Sequence, residues 1–218
     1  MSWILSFLGS SVGRKVVMAV TGAVLFLFVI GHMAGNMLLY EGPQALNAYA
    51  ARLHALPALL WTVRLGLLAA VLVHIWAATV LTITNLRARP IGYREREDLA
   101  STYASRTMVW SGPILGLFVI YHLAHFTLGS VHPHFVPGDV YHNVVTGFQQ
   151  PLVSGFYILA MLALGLHLYH GAWSMLQSLG VAHPRYNSLR KVGAALFAAV
   201  LLAGNISFPL AVLSGLVR

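Results

Sequence analysis

The chain contains no cysteine and only five acidic residues among 218. The first absence excludes disulfides, iron–sulfur clusters ligated by this chain, thiolate-bound haem and covalent haem through C-x-x-C-H. Any redox group it carries must be held by histidine or methionine. The second absence is just as specific in its placement. Glu95, Glu97 and Asp98 share one polar segment, while Glu41 and Asp139 lie outside the deep part of any apolar run. A carboxylate proton relay through the apolar runs is therefore excluded, although histidine, tyrosine or water could still carry protons. No nucleophile with a partnered base and no phosphate loop is evident, and the short polar segments leave no room for a site that processes a small acid.

What the chain has in excess is apolar surface. It is 58% hydrophobic and 8% charged, with a mean hydropathy of +0.76, more than one soluble core can hide. Runs long enough to cross roughly 30 Å of hydrocarbon occur at 16–40, 58–86, 107–130, 151–179 and 189–214. The expectation is an all-α integral membrane bundle of five transmembrane helices, forming a single transmembrane domain over 1–218. Gly42-Pro43, Pro57, Pro90 and Pro151 punctuate the runs. Residues 2–12, with Trp3, Ile4, Phe7 and Leu8 at helical spacing, read as an uncleaved interfacial helix, since no signal-peptide order is present.

The cations set the expected orientation. Arg14, Lys15, Arg87, Arg89, Arg94, Arg96, Arg106, Arg185, Arg190 and Lys191 fall on one side, against Arg52, Arg64 and Arg218 on the other. By the positive-inside rule the N-terminus is cytoplasmic and the C-terminus outside, in a cell inner (cytoplasmic) membrane. The formal charge of +8 thus serves topology, and nucleic acid is not an expected partner. The mixed-charge 87–106 segment is a surface on which a soluble partner could dock.

Four apolar runs carry a histidine at membrane depth: His32, His74, His122 and His170. Ionisable side chains there are costly and mark function. Counting about 1.5 Å per residue from the expected cytoplasmic ends places His32 and His122 roughly 22–24 Å in, and His74 and His170 roughly 14–18 Å in. Two layers of two imidazoles are what two bis-histidine b-type haems stacked across a bilayer require. Gly31, Gly35 and Gly171 beside these histidines would leave room for a macrocycle, or for close helix packing. Neighbours three residues away compete as ligands: His125 with His122, and His167 with His170. Depth prefers His122 over His125, but slightly favours His167 over His170. His132, His134 and His142 lie in the 131–150 loop without a carboxylate or cysteine cluster beyond Asp139, so a metal site there is not expected. His54 and His183 sit near helix ends.

Thr21 to Met33 (T-G-A-V-L-F-L-F-V-I-G-H-M) resembles helix I of the single-chain, di-haem cytochrome b membrane subunit of succinate dehydrogenase and quinol:fumarate reductase. The likeness continues through His74 and Asn85 to Tyr93 (N-L-R-A-R-P-I-G-Y), Gly112 to Phe126 (G-x9-H-L-x-x-F) and His170 to Gly180 (H-G-x-W-S-x-x-Q-x-L-G). The resemblance implies two haems b, with His32 and His122 on the distal iron and His74 and His170 on the proximal one. It also implies a flavoprotein subunit and an iron–sulfur subunit as partners on the cytoplasmic side, and membrane quinone as the other redox partner. Glu41, Arg52 and His54 near one face, and Arg14, Lys15 and Arg106 near the other, are candidates for the quinone, their plain alternative being solvated or lipid-facing charge. Two other readings compete: a di-haem subunit of hydrogenase or formate dehydrogenase type, and a haem-free transporter or anchor whose histidines bridge helices.

Overall fold

A computed structural model describes residues 2–88 and 103–218. Arg89, Pro90, Arg94, Glu95, Arg96, Glu97 and Asp98, and with them most of the expected docking segment, lie outside the described residues. Those described are all-helical: α1 (Ser2–Gly9), α2 (Ser11–Asn36), a 3-10 turn (Met37–Glu41), α3 (Pro43–His54), α4 (Pro57–Arg87), α5 (Tyr103–His122), a π-turn (Leu123–Thr127), α6 (Val140–Phe148), α7 (Pro151–Ser178), a 3-10 turn (Pro184–Tyr186) and α8 (Asn187–Leu213). Five segments are long and apolar enough to span a membrane: Ser11–Glu41, Pro57–Arg87, Arg106–Thr127, Pro151–Ser178 and Pro184–Leu213. The five-helix expectation is met, and side chains such as Leu117, Leu152 and Leu196 stand out from the bundle as lipid-facing residues should.

Three features depart from the expected outline. The N-terminal helix stops at Gly9 and α2 begins at Ser11, because Ser10 caps α2: its Oγ accepts from Gly13 N at 3.0 Å and donates to Phe7 O at 2.6 Å. The connections 42–56 and 131–150 hold helices of their own, α3 and α6. The third run ends in a π-turn immediately after His122, closed by Leu128 N donating to Leu123 O at 2.8 Å.

Starts and stops follow local chemistry. Proline stands in the first turn of α3, α4 and α7, where its missing N–H costs nothing. At the end of α7, Gly180 takes φ 82° so that Val181 N reaches Leu176 O (2.9 Å) and Gly180 N reaches Gln177 O (3.2 Å), a Schellman closure.

α7 is the hub of the bundle, packing on α2, α5 and α8, while α4 leans chiefly on α2. α3 and α6 pack together at one end of the bundle, where Asn47 Nδ2 donates to Asp139 Oδ1 (2.9 Å) and Tyr141 N donates to Asn47 Oδ1 (2.9 Å). Asp139 also caps α6 by accepting from His142 N (3.0 Å). The main core lies beneath this capped end and includes Leu39, Leu46, Phe118, Phe148, Tyr157 and Phe208.

Candidate functional site

The histidines on α2 and α5 converge at the capped end. The His32 and His122 rings lie 5.8 Å apart, centroid to centroid, at 85°. Deeper in the bundle, α4 and α7 bring a second pair together, His74 and His167, at 6.3 Å and 60°. It is His167, one of the two candidates that depth left open, whose ring faces His74. His170, which the resemblance selects, lies on the next turn beside Trp173 (6.0 Å), its Nδ1 buried with no hydrogen-bond partner among the described residues.

Each ring has a distinct tether. His74 Nδ1 donates to Met18 O (3.1 Å) and lies 3.1 Å from Thr21 Oγ1, whose own hydroxyl donates to Val17 O (2.8 Å). Gly22 permits that approach, since a Cβ there would come within 3.2 Å of His74 Cε1. His167 Nδ1 is held by Ser111 Oγ at 3.4 Å, and Ser111 is fully buried. His122 Nδ1 meets the Tyr157 hydroxyl at 3.3 Å. In these three rings the bonded nitrogen is Nδ1, which leaves Nε2 as the nitrogen that could ligate a metal. His32 differs, because Asn36 Nδ2 lies 3.3 Å from its Nε2; binding a metal there requires a ring turn or loss of that contact.

The spacing suits one metal ion between the rings of each pair. Two metal–nitrogen bonds of about 2 Å, plus about 1 Å from each nitrogen to its ring centre, separate two axial imidazoles by about 6 Å. Of the glycines expected to clear a macrocycle, Gly31 and Gly171 have open space where a Cβ would stand, nothing lying within 4 Å. Gly35 instead makes room for Tyr49 of α3, whose ring lies 2.9 Å from where a Cβ would stand.

The remaining histidines sort clearly. His125 is 1% exposed and bonds Tyr157 OH through Nδ1 (3.1 Å). His132 stacks on it at 4.7 Å, donates from Nε2 to Asn143 O (2.9 Å) and accepts at Nδ1 from His134 N (3.1 Å). Both nitrogens of His132 are spent on the fold, and no group of three or more metal-ligating side chains occurs among the described residues. His142 donates to His134 O (3.1 Å), tying the loop to α6. His54 Nδ1 donates to Ala50 O (2.8 Å), and His183 caps the 3-10 turn by accepting from Arg185 N (3.2 Å).

The charged candidates divide between the ends. Glu41 and Arg52 line one cavity of about 260 Å³ with Leu38, Ala45, Ala48 and Tyr49 at the capped end. His54 is not part of it. Arg14 and Lys15 lie in the first turn of α2 and Arg106 in the first turn of α5, at the opposite end. Tyr157, Ser111 and Met18 were not singled out from the sequence, and Thr21 only as the first residue of the helix I motif. A hydroxyl inside an apolar run is the only signal that Tyr157 and Ser111 offer.

The model of the succinate dehydrogenase/fumarate reductase transmembrane subunit family matches residues 93–206 of the 218, just over half the chain. The chain belongs to this family. The match covers the segment carrying His122, His125, His167 and His170 and stops short of His32 and His74, the members of the two pairs that α2 and α4 contribute. Searches of curated proteins and of solved structures gave no match. The chain is a multi-pass membrane subunit of the succinate dehydrogenase/fumarate reductase type.

Proposed function

We propose that this transmembrane subunit holds two haems b and connects an iron–sulfur subunit to membrane quinone. The observation that carries the reading is the pair of facing imidazole couples, drawn from four helices and stacked at two depths. His32 and His122 would ligate the distal haem, and His74 the proximal one. On α7 we assign His167 as the partner of His74, because its ring faces His74 and its Nδ1 is tethered. His170 is the second reading, supported by the resemblance and by its buried Nδ1, which has no hydrogen-bond partner among the described residues; in the first reading that nitrogen would serve a propionate or a quinone. When bound, a haem held by two of these imidazoles would supply one-electron transfer. The chain's own part is to hold the rings, fix their tautomers and exclude water from between the helices.

In this reading the N-terminus is cytoplasmic, the flavoprotein and iron–sulfur subunits sit on that side of the inner membrane, and 183–191 contributes to their docking. That segment is well braced: Arg190 donates to Val181 O (2.7 Å) and Asn187 Oδ1 (2.9 Å), and Lys191 lies over Trp173 at 5.2 Å. The Glu41–Arg52 cavity, at the same end as the His32–His122 pair, is the quinone candidate of choice, with Arg14, Lys15 and Arg106 the alternatives at the other end.

The test is a pyridine haemochrome assay on the purified complex with single-ligand variants. Two haems per chain are expected. His32→Ala and His122→Ala should remove the same signal, and His74→Ala and His167→Ala the other. If His170→Ala removes a haem and His167→Ala keeps both, the resemblance is right about α7. Fewer than two haems in fully loaded protein overturns the di-haem reading, and none at all favours a haem-free anchor.

A further inference from the structure

One hydroxyl stands between two histidines at the capped end. Tyr157 OH lies 3.3 Å from His122 Nδ1 and 3.1 Å from His125 Nδ1. Its ring is 5% exposed and is clamped edge-on by Phe118 (5.1 Å, 83°) and Phe148 (5.0 Å, 83°), so the hydroxyl has one place to be. A phenol has a single proton to give and lone pairs to accept with. The two nitrogens cannot both receive that one proton, and if both donated, the buried phenol proton would have no acceptor among the described residues; one therefore donates to the oxygen and the other receives its proton.

Which does which follows from the metal. Resting on the ligand role proposed for His122, its Nε2 ligates the metal and its Nδ1 carries the proton, which it donates to Tyr157. The phenolic proton then goes to His125 Nδ1, which makes His125 the Nε2–H tautomer. His125 is in turn kept in place by stacking on His132 (4.7 Å, 23°), whose two nitrogens are already committed to Asn143 O and His134 N. His122 and His125 stand three residues apart where α5 passes into the π-turn Leu123–Thr127, and both reach the same oxygen.

We propose that Tyr157 is the positioning residue of the His32–His122 pair, with His125 as the acceptor that fixes its hydroxyl, so that the chain His122–Tyr157–His125 sets the ring orientation and electron donation of His122. Tyr157 does not touch the metal; it acts through His122. An acceptor on Nδ1–H makes the imidazole a stronger donor and favours the oxidised metal, so loss of the hydroxyl shifts the midpoint potential of that haem upward. The other pair is tethered to Met18 O and Ser111 and is untouched.

The experiment is a redox titration and low-temperature EPR of the whole complex, with the two haem signals assigned by His122→Ala and His74→Ala. Tyr157→Phe, which keeps the packed ring, should raise the potential and change the g-anisotropy of the haem lost in His122→Ala, leaving the other haem unchanged. His125→Leu should move the same signal by a smaller amount, His125→Gln, which restores an acceptor, should return it towards wild type, and Tyr157→Phe/His125→Leu should match Tyr157→Phe alone. Unchanged spectra and potential in Tyr157→Phe, or equal shifts in both haems, overturn the proposal. Should Tyr157→Phe not accumulate, a His125→Leu variant with an unmoved signal overturns it instead. A wild-type complex without haem by the haemochrome assay refutes the di-haem function itself, and the proposal falls with it.

Discussion

Gly147, near the end of α6, tests whether the capped end is as tightly built as its contacts imply. A Cβ there would lie 2.9 Å from His125 Cε1, 2.9 Å from Phe126 Cε1 and 3.1 Å from His132 Nε2. None of these three rings can step aside cheaply. His132 is bonded at both nitrogens, His125 is bonded to Tyr157 and stacked, and Phe126 packs against Phe148 and Tyr157. Overpacking a filled site costs about 1–3 kcal/mol, and three immobile neighbours put Gly147→Ala at the upper end. Helix propensity returns about 1 kcal/mol, leaving a net loss of about 2 kcal/mol. Gly66 on α4 is the matched control, because a Cβ there meets nothing within 4 Å and only the propensity gain remains. The two variants should differ by about 3 kcal/mol in unfolding from mixed micelles followed by tryptophan fluorescence. A Gly147→Ala protein as stable as Gly66→Ala would refute the packing argument.

Two further outcomes follow from other parts of the molecule. Asp139 has its carboxyl held below the usual carboxylate range by the His142 backbone N–H and then by the Asn47 side chain. A depressed folded pKa means that its contribution to stability is present above the unfolded value near 3.9 and is lost as pH falls through the lower folded value. Amide protection factors in α3 and α6, corrected for the intrinsic pH dependence of exchange, should therefore fall in acid in wild type, and an Asp139→Asn protein should lack that step; identical acid profiles would refute the clamp. Gly171 lies four residues after His167, on the same face of α7, with open space where its side chain would be. Gly171→Leu is expected to lower haem content at the His74 pair, read by haemochrome, without loss of folded protein; full haem loading would show that the space is not the macrocycle's.

The five spanning helices were legible because length and apolarity suffice to mark them. α3 and α6 were not, although Pro43 and Asp139 stand where helix starts expect them. In α6 the run V-Y-H-N-V-V is rich in β-branched residues, and its helix start is held by the Asp139 cap and by Asn47, a partner distant in sequence that bonds both Asp139 and Tyr141 N. Depth from the sequence paired His32 with His122, whose rings do face each other. On α7, depth leaned to His167 while the motif before Gly171 pointed to His170; the direction of a ring depends on Ser111, from another helix, and no spacing rule carries that. Tyr157 escaped notice for the same reason, since its significance lies in what stands opposite its hydroxyl.

The bonds that close the capped end join residues far apart in the chain: Asn47 to Asp139, and Tyr40 OH to Ser207 Oγ at 2.6 Å. Neither can form while the ribosome has yet to deliver its second partner. During synthesis, the end of the bundle holding His32 and His122 therefore stays open until α6, and then α8, has emerged. The order of translation itself sets an interval in which that pair is reachable before its roof is fastened.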